Sequence, residues 1–315
     1  MEFRSYDHTY IQLFDEAPPP SVSHGESDAG IISEGRGFMS AFDLTMQVQV
    51  GCPAGCLFCY VPSGPRLTPS EVRGPQGRHW GFEVRNKLRV PQKLSRLLEE
   101  GKLADKTLYW SGVTDPYAAP PTLTKELWRV LCATPASLRP RRIAVQTRFR
   151  PDRDLALIQR YCSETKSSDQ GPAVVISFSI GTDRDDLIRA WEKATPSYEQ
   201  RMKAIENLRK ADLCVVATLS PFGLWHDLQG TLRKFKVWGV TYLTVLFFKE
   251  HTGSANTPRL FLAYVRREYP ELLDQRWQSA RIQEMTEIYG DKRVLIGQEG
   301  FSSLTHPHLV SSAHS

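Results

Sequence analysis

The run Gly51-Cys52-Pro53-Ala54-Gly55-Cys56-Leu57-Phe58-Cys59-Tyr60 decides how the rest of this 315-residue chain reads. It spaces three cysteines as C-x3-C-x2-C and follows directly on Leu44 to Val50, a β-branched and apolar stretch that reads as a strand. Thiolates held by so tight a loop suit an iron-sulfur cubane: each binds one iron, and the loop offers no fourth ligand. The fourth iron is then open to a small molecule. Gly51 and Gly55 supply the positive-φ turns that wrapping a cluster demands. A zinc site borrowing a distant histidine, or a redox pair with a spare thiol, are the competing readings. Structural zinc normally shows a second Cys/His pair at short spacing, and the other cysteines, Cys132, Cys162 and Cys214, stand alone. Cys162 shares a helix face with Leu155 and Ile158, and Cys214 opens a strand, so both read as core.

Downstream of this loop, short apolar runs alternate with helical patterns. Candidate strands are Leu44 to Val50, Thr107 to Val113, Ile143 to Thr147, Ala173 to Ile180, Leu213 to Leu219 and Tyr242 to Phe248. Candidate crossover helices are Pro91 to Glu100, Leu123 to Ala133, Asp152 to Glu164, Ser197 to Ala211 and Asp227 to Trp238. Ser197 and Gln200 form a capping-box start for the fourth. Nearly continuous apolar strands joined by helices imply parallel strands buried on both faces, hence an α/β fold: a partial (β/α)6 TIM-like barrel. Chemistry in such barrels sits at the C-terminal strand ends, after Val50, Val113, Thr147, Ile180 and Leu219.

Pro18-Pro19-Pro20 and the Ser/Gly-rich stretch after it suggest a flexible or loosely docked leader over residues 1–37, with the barrel at 38–250. Residues 251–315 read as a helical extension, with helices at Arg259 to Glu268 and Gln275 to Tyr289 and a short run at Arg293 to Gly297 that caps the barrel or adds a strand. Lys and Arg total 40 against 35 Asp and Glu, a net +5 without a dense basic stripe. Arg139-Pro140-Arg141-Arg142 and Arg148-Phe149-Arg150 are the one candidate nucleic-acid patch, and such runs are more often solvated barrel ends. Neither a signal peptide nor a membrane span is readable, so the expected location is cytoplasmic. No Gly-rich phosphate loop follows any strand, and the eight histidines offer no metal-ligand spacing beyond the tail pair His306 and His308.

The cysteine run, with Phe58 as the aromatic before the last cysteine, resembles the signature of the radical S-adenosylmethionine (SAM) superfamily. Met46 to Cys52 and Cys59-Tyr60-Val61-Pro62 look like the cluster segment of the branch related to spore photoproduct lyase. Trp80-Gly81-Phe82-Glu83-Val84-Arg85-Asn86-Lys87, then Ser111-Gly112-Val113-Thr114-Asp115-Pro116-Tyr117, then Glu192 to Arg201 with Ala194-Thr195-Pro196-Ser197, are similar to later motifs of that branch, in order. The resemblance runs from about Phe38 to Phe248.

It implies a radical SAM type barrel with a C-terminal extension and a [4Fe-4S] cluster on Cys52, Cys56 and Cys59. Bound S-adenosyl-L-methionine would be cleaved reductively to a 5'-deoxyadenosyl radical that takes hydrogen from an unidentified substrate. Thr114 and Asp115 after the second strand would meet the methionine ammonium, and Arg148 after the third its carboxylate, where relatives commonly carry Lys. Ser179 would contact ribose or methionine, and the backbone around Phe58 and Tyr60 would face adenine. The competing reading is a turn residue before Pro116 for Asp115 and a solvated surface charge for Arg148. The implied partners are a one-electron reductant such as flavodoxin or ferredoxin and a substrate. The alternatives are nucleic-acid repair or modification of the photoproduct lyase type, and an iron-sulfur redox sensor without turnover. In the lyase a cysteine just upstream of the Ser/Thr-Asp pair returns hydrogen to the product; here Tyr109 to Val113 contains none.

Overall fold

A computed structural model of the chain describes residues 23–61, 83–165, 171–192, 194–249 and 257–306. Strands β1 (Ser23–Ser27), β2 (Ile32–Glu34), β3 (Leu44–Met46), β4 (Gln49–Val50) and β5 (Glu83–Lys87) precede helix α1 (Val90–Glu99). Regular alternation follows: β6 (Thr107–Trp110), α2 (Pro121–Ala133), β7 (Arg142–Thr147), α3 (Leu155–Glu164) and β8 (Val174–Ser179). After β8 come α4 (Asp185–Trp191), α5 (Tyr198–Lys210), β9 (Cys214–Leu219), α6 (Leu228–Trp238) and β10 (Leu243–Val245). The C-terminal part adds α7 (Arg259–Glu268), α8 (Gln275–Tyr289), β11 (Val294–Ile296) and α9 (Gln298–Ser302). Among the described residues no helix is long and apolar enough to cross a membrane.

The main sheet has the order β11-β10-β9-β8-β7-β6-β3-β2, and β3, β6, β7, β8, β9 and β10 run parallel in chain order. These are the six strands of the expected partial barrel. Alternate residues serve two different cores. Leu108, Trp110, Ile143, Val145, Ile176, Phe178, Val215 and Leu219 pack with the helices, including Leu127, Ile158 and Leu208. Tyr109, Ala144, Val175, Cys214, Val216 and Tyr242 pack together inside the barrel. Both faces are covered, which is why the strands read as unbroken apolar runs. The capping box forms with both arms, Gln200 N–H to Ser197 Oγ and Ser197 N–H to Gln200 Oε1, and Gly239 ends α6 at φ 78°.

Three expectations change. The segment Leu44 to Val50 is two strands rather than one: β3 lies in the main sheet, while β4 crosses to a small sheet of order β1-β5-β4. The switch falls at Gln47 and Val48, where Gln47 N–H bonds Ile31 O and Val48 O accepts from Lys87 N–H. The barrel therefore presents the cysteine loop from a side sheet. The second strand stops at Trp110 instead of Val113, because Ser111 takes φ 147° and leaves the ladder. The third change concerns the domain limits. Within the expected leader, residues 23–34 are paired: β1 with β5, and β2 antiparallel to β3. The run at Arg293 to Gly297 adds β11 beside β10, so the main sheet crosses both expected limits, near 37 and 250. Residues 1–22 and 307–315 lie outside the described residues.

The two ends of the sheet meet through side chains rather than a ladder. Phe38 packs on Phe301 with ring centroids 4.3 Å apart, and Gln298 Nε2 donates to Gly37 O at 3.4 Å. Gly300 makes this approach possible, since a Cβ there would strike the Thr244 side chain, and its carbonyl accepts from Tyr242 Oη at 2.8 Å.

Candidate functional site

Gly51 and Gly55 adopt φ 87° and 59°, the left-handed turns expected of them. Between them the chain folds back so that Cys52, Cys56 and Cys59 all line one cavity. Cys59 N–H closes onto Cys56 O at 3.1 Å. The loop is also stitched to the chain after α4: Leu57 N–H donates to Trp191 O (2.9 Å), Ala194 N–H to Ala54 O (3.3 Å), and Cys56 pairs with Glu192 as an antiparallel bridge. Burial pushes the Cys52 and Cys56 thiols up to about 12. The backbone N–H groups of Asp115 and Ala54 point at Cys52 and oppose that rise. Among the described residues no three His, Cys, Asp or Glu side chains converge on one metal ion, as a zinc site would require. A cubane asks instead for one thiolate per iron, spread around its faces.

The loops after β6, β7 and β8 supply the rest. Asp115 is the knot of the first two. Its Oδ1 accepts from Tyr117 N–H (2.9 Å) and Thr147 Oγ1 (2.6 Å), and its Oδ2 from Arg148 N–H (2.8 Å). Burial raises its carboxyl pKa against these three donors. The side chain thus builds the site's frame, which favours the turn reading over the ammonium-acceptor one. Thr114 is buried on the cavity wall, its carbonyl accepting from Ser111 Oγ at 3.2 Å. Tyr60 lies across the mouth and donates to Gly112 O at 2.9 Å.

Arg148 projects inward from the end of β7. Its Nη1 faces Glu192 Oε1 at 2.9 Å, its guanidinium lies 5.2 Å from the Phe58 ring centroid, and its Nη2 has only a 3.5 Å contact to Ser220 O at the cavity wall. Glu192 Oε2 pairs with Arg201, which is 0 % exposed. Burial opposes ionisation of Glu192, but Arg201 and Arg148 hold its carboxyl down to about 2. Two guanidinium groups share one carboxylate beside Cys56, with the buried Asp115 carboxyl also acting on Arg148; among the described residues neither Arg148 Nη1, which meets Glu192 as an ion pair, nor Arg201 Nη1 has a hydrogen-bond acceptor. Buried guanidinium donors without an acceptor suit an anionic or carbonyl-bearing ligand.

All nine residues singled out from the sequence line the same cavity of about 1190 Å³, measured out to its open mouth: the three cysteines with Phe58, Tyr60, Thr114, Asp115, Arg148 and Ser179. Sequence reasoning missed its floor. Gln146 Oε1 accepts from Ser177 Oγ (2.5 Å) and Tyr109 Oη (3.3 Å), Gln146 Nε2 donates to Ser179 Oγ (2.5 Å), and Ser177 bonds Thr218 (2.6 Å). A glutamine inside the apolar run Ile143 to Thr147 was the available signal. Glu192 was also missed as a site residue, although it stands in a quoted motif.

The candidate nucleic-acid patch is not a continuous basic surface: Arg141 is exposed but faces Asp43 and Asp105, and the others are buried or paired. Arg139 is buried against Thr134 O, Cys132 O, Thr165 and Glu164, and Arg142 is buried with bonds to Pro172 O and Leu304 O. Both sit at the N-terminal end of β7, away from the cysteines. Arg150 is paired bidentately with Asp152. Cys132 and Cys214 are buried and Cys162 is half-buried, as core residues should be, and none of the three lines the cavity. Trp80 to Phe82 lie outside the described residues, as does His308 of the tail pair.

A search of the solved structures finds spore photoproduct lyase complexed with dinucleoside spore photoproduct, at 12% identity and a TM-score of 0.54 over 94% of this chain and 86% of that one. A doubly substituted form of that lyase, with bound AdoMet and dinucleoside spore photoproduct, matches at 13% identity and 0.53, with the same coverage. The radical SAM methyltransferase TsrM from Kitasatospora setae, with tryptophan and a SAM analogue bound, matches at 15% identity and 0.50, over 85% of this chain and 58% of that one. At these identities the likeness is one of fold. A search of curated proteins finds no match. The model of the Radical SAM superfamily matches residues 46–234.

Proposed function

The chain belongs to the radical SAM superfamily, and from that premise we propose that it abstracts hydrogen from a substrate held in the cavity at the C-terminal ends of β6 to β9. It is an enzyme, and its cofactors are a [4Fe-4S] cluster and S-adenosylmethionine. Such enzymes need a reductant as well as a substrate; flavodoxin or ferredoxin is the class proposed here.

The residues present fit both groups. Buried Cys52 and Cys56 with half-buried Cys59, on a loop with two positive-φ glycines, suit a cluster, and the unmet donors of Arg148 and Arg201 suit an anionic ligand beside it. When bound, the cofactors supply a 5'-deoxyadenosyl radical. Cys52, Cys56 and Cys59 would hold the cluster. Arg148 would offer its Nη2 arm to the methionine carboxylate, Thr114 a hydroxyl to the ammonium end, and Ser179 a hydroxyl to the ribose. Phe58 and Tyr60 would border the adenine. Asp115 would act by fixing these loops, and the apolar walls at Phe247, Phe301 and Met39 would keep water from the reacting centre. The observation that carries the reading is that the cysteine loop, Arg148 and Ser179 come from separate segments and line one cavity.

The test is anaerobic reconstitution with iron, sulfide, SAM and dithionite. Methionine and 5'-deoxyadenosine are expected, with deuterium passing from a substrate into 5'-deoxyadenosine. A chain that binds about four irons and never cleaves SAM would support the sensor reading instead.

The photoproduct is not the proposed substrate. Ser111, Gly112 and Val113 line the cavity, and apart from the three cluster cysteines no cysteine does so among the described residues. A hydrogen return from a thiol above the β6 end is therefore not available. Incubation with dinucleoside spore photoproduct should leave it unrepaired; repeated conversion to two thymines would refute this.

A further inference from the structure

Two facts about Glu192 stand apart from the cysteines and from the cavity wall. Its backbone is paired with Cys56, in the middle of the cluster loop. Its side chain, 3 % exposed, divides its two oxygens between guanidinium groups from different elements: Oε1 to Arg148 at the end of β7, Oε2 to Arg201 on α5. Thr195 Oγ1 donates to Oε2 at 3.0 Å and accepts from Arg201 Nη2 at 2.6 Å, while Arg201 Nε is held by Pro196 O at 2.9 Å. Arg148, Arg201 and Thr195 Oγ1 hold the carboxylate directly, and the bonds from Arg201 to Thr195 and Pro196 O fix the anchor behind it. Arg148 is long and flexible and has two further restraints, the Phe58 ring beneath it and the weak contact of Nη2 to Ser220 O. Without Glu192 it would retain no ion-pair partner among the described residues, and its planar fork would lose the orientation on which two-point recognition of a carboxylate depends.

We propose that Glu192 is the positioning residue that ties the ligand-binding arm Arg148 to the cluster loop, so that the loop holding Cys56 and the arm reaching for the SAM carboxylate are set by one side chain. The inference rests on the functional reading above. Arg201 is the anchor: fully buried and fixed at three points, it balances the pull of Arg148 and leaves Glu192 midway. Glu192 itself does not line the cavity, so its effect on a ligand passes through Arg148.

The experiment measures SAM affinity of the reconstituted chain, and that of an analogue lacking the methionine carboxylate, for wild type, Glu192→Gln, Arg148→Ala and the double variant. Glu192→Gln should keep about four irons and lose about tenfold in SAM affinity, while its affinity for the decarboxylated analogue stays at the wild-type value. In the Arg148→Ala background the same substitution should change nothing further, the non-additivity expected of two residues acting as one unit. The change that SAM induces in the electron paramagnetic resonance signal of the reduced cluster should need correspondingly more SAM. Glu192→Asp, which keeps the charge on a shorter arm, covers the case in which Gln prevents folding; it should fall between wild type and Gln. Wild-type SAM affinity in Glu192→Gln and Glu192→Asp would overturn the proposal, as would equal losses for SAM and its decarboxylated analogue. A wild-type chain that takes up iron but binds no SAM would overturn the functional reading along with it.

Discussion

Replacing Asp115 by Asn separates a frame-building residue from a cofactor ligand. The carboxylate accepts three hydrogen bonds, from Tyr117 N–H, Thr147 Oγ1 and Arg148 N–H. Asn can keep its carbonyl oxygen on the first two, now as a neutral and weaker acceptor, but its NH2 group then confronts the Arg148 N–H. One charged bond is lost and a buried donor is left unmet, a cost of about 2–4 kcal/mol. Against this, Asn no longer has to be buried as an ion, and the upward displacement of the Asp115 carboxyl by burial shows that this cost is real. The net loss expected is about 1–3 kcal/mol of folding stability, with Asp115→Ala worse because three donors lose their acceptor. Urea unfolding of the metal-free chain at neutral pH under reducing conditions reads this directly, as a lower midpoint at unchanged slope. If Asp115→Asn unfolds within about 0.5 kcal/mol of wild type but binds SAM poorly, the frame reasoning is wrong and the residue is a ligand after all.

Cys52→Ala, Cys56→Ala or Cys59→Ala should each prevent assembly of the about four irons and four sulfides of one cubane, while Cys132→Ala, Cys162→Ala and Cys214→Ala should retain them; metal and sulfide analysis decides. Gly300→Ala, whose added methyl meets the Thr244 side chain, should destabilise the barrel by about 1–3 kcal/mol in urea unfolding without changing iron content. Gln146→Leu strips partners from Tyr109, Ser177 and Ser179 at once and should cost about 1–3 kcal/mol, measured the same way.

The six parallel strands and the helices between them were legible because both sheet faces are buried, which makes each strand an apolar run, and because the capping box at Ser197 marks a helix start locally. The cysteine loop was legible from its spacing together with the strand before it. What could not be read depends on where the backbone turns in space. Val48 and Gln49 carry the same apolar and polar alternation as β3, yet their partner is β5, nearly forty residues on. Arg148 read as a free cation because nothing in its neighbourhood of sequence reveals that Glu192 will lie against it. Arg139 and Arg142 read as a surface patch for the same reason: their acceptors, Cys132 O and Leu304 O among them, are main-chain carbonyls, which a sequence does not display.

The seam where Phe38 meets Phe301 bears on how the protein is made. The contact from Gln298 to Gly37 spans 261 positions, so the ring cannot close until nearly all of the described chain has left the ribosome. The cysteine loop emerges early, but its bracing at Trp191 and Glu192 and its aromatic neighbour Phe261 follow well behind it. Closing such distant contacts is slow relative to forming one helix. The loop that carries the cysteines is thus made early and braced late, and its final geometry waits on contacts from residues far behind it in the chain.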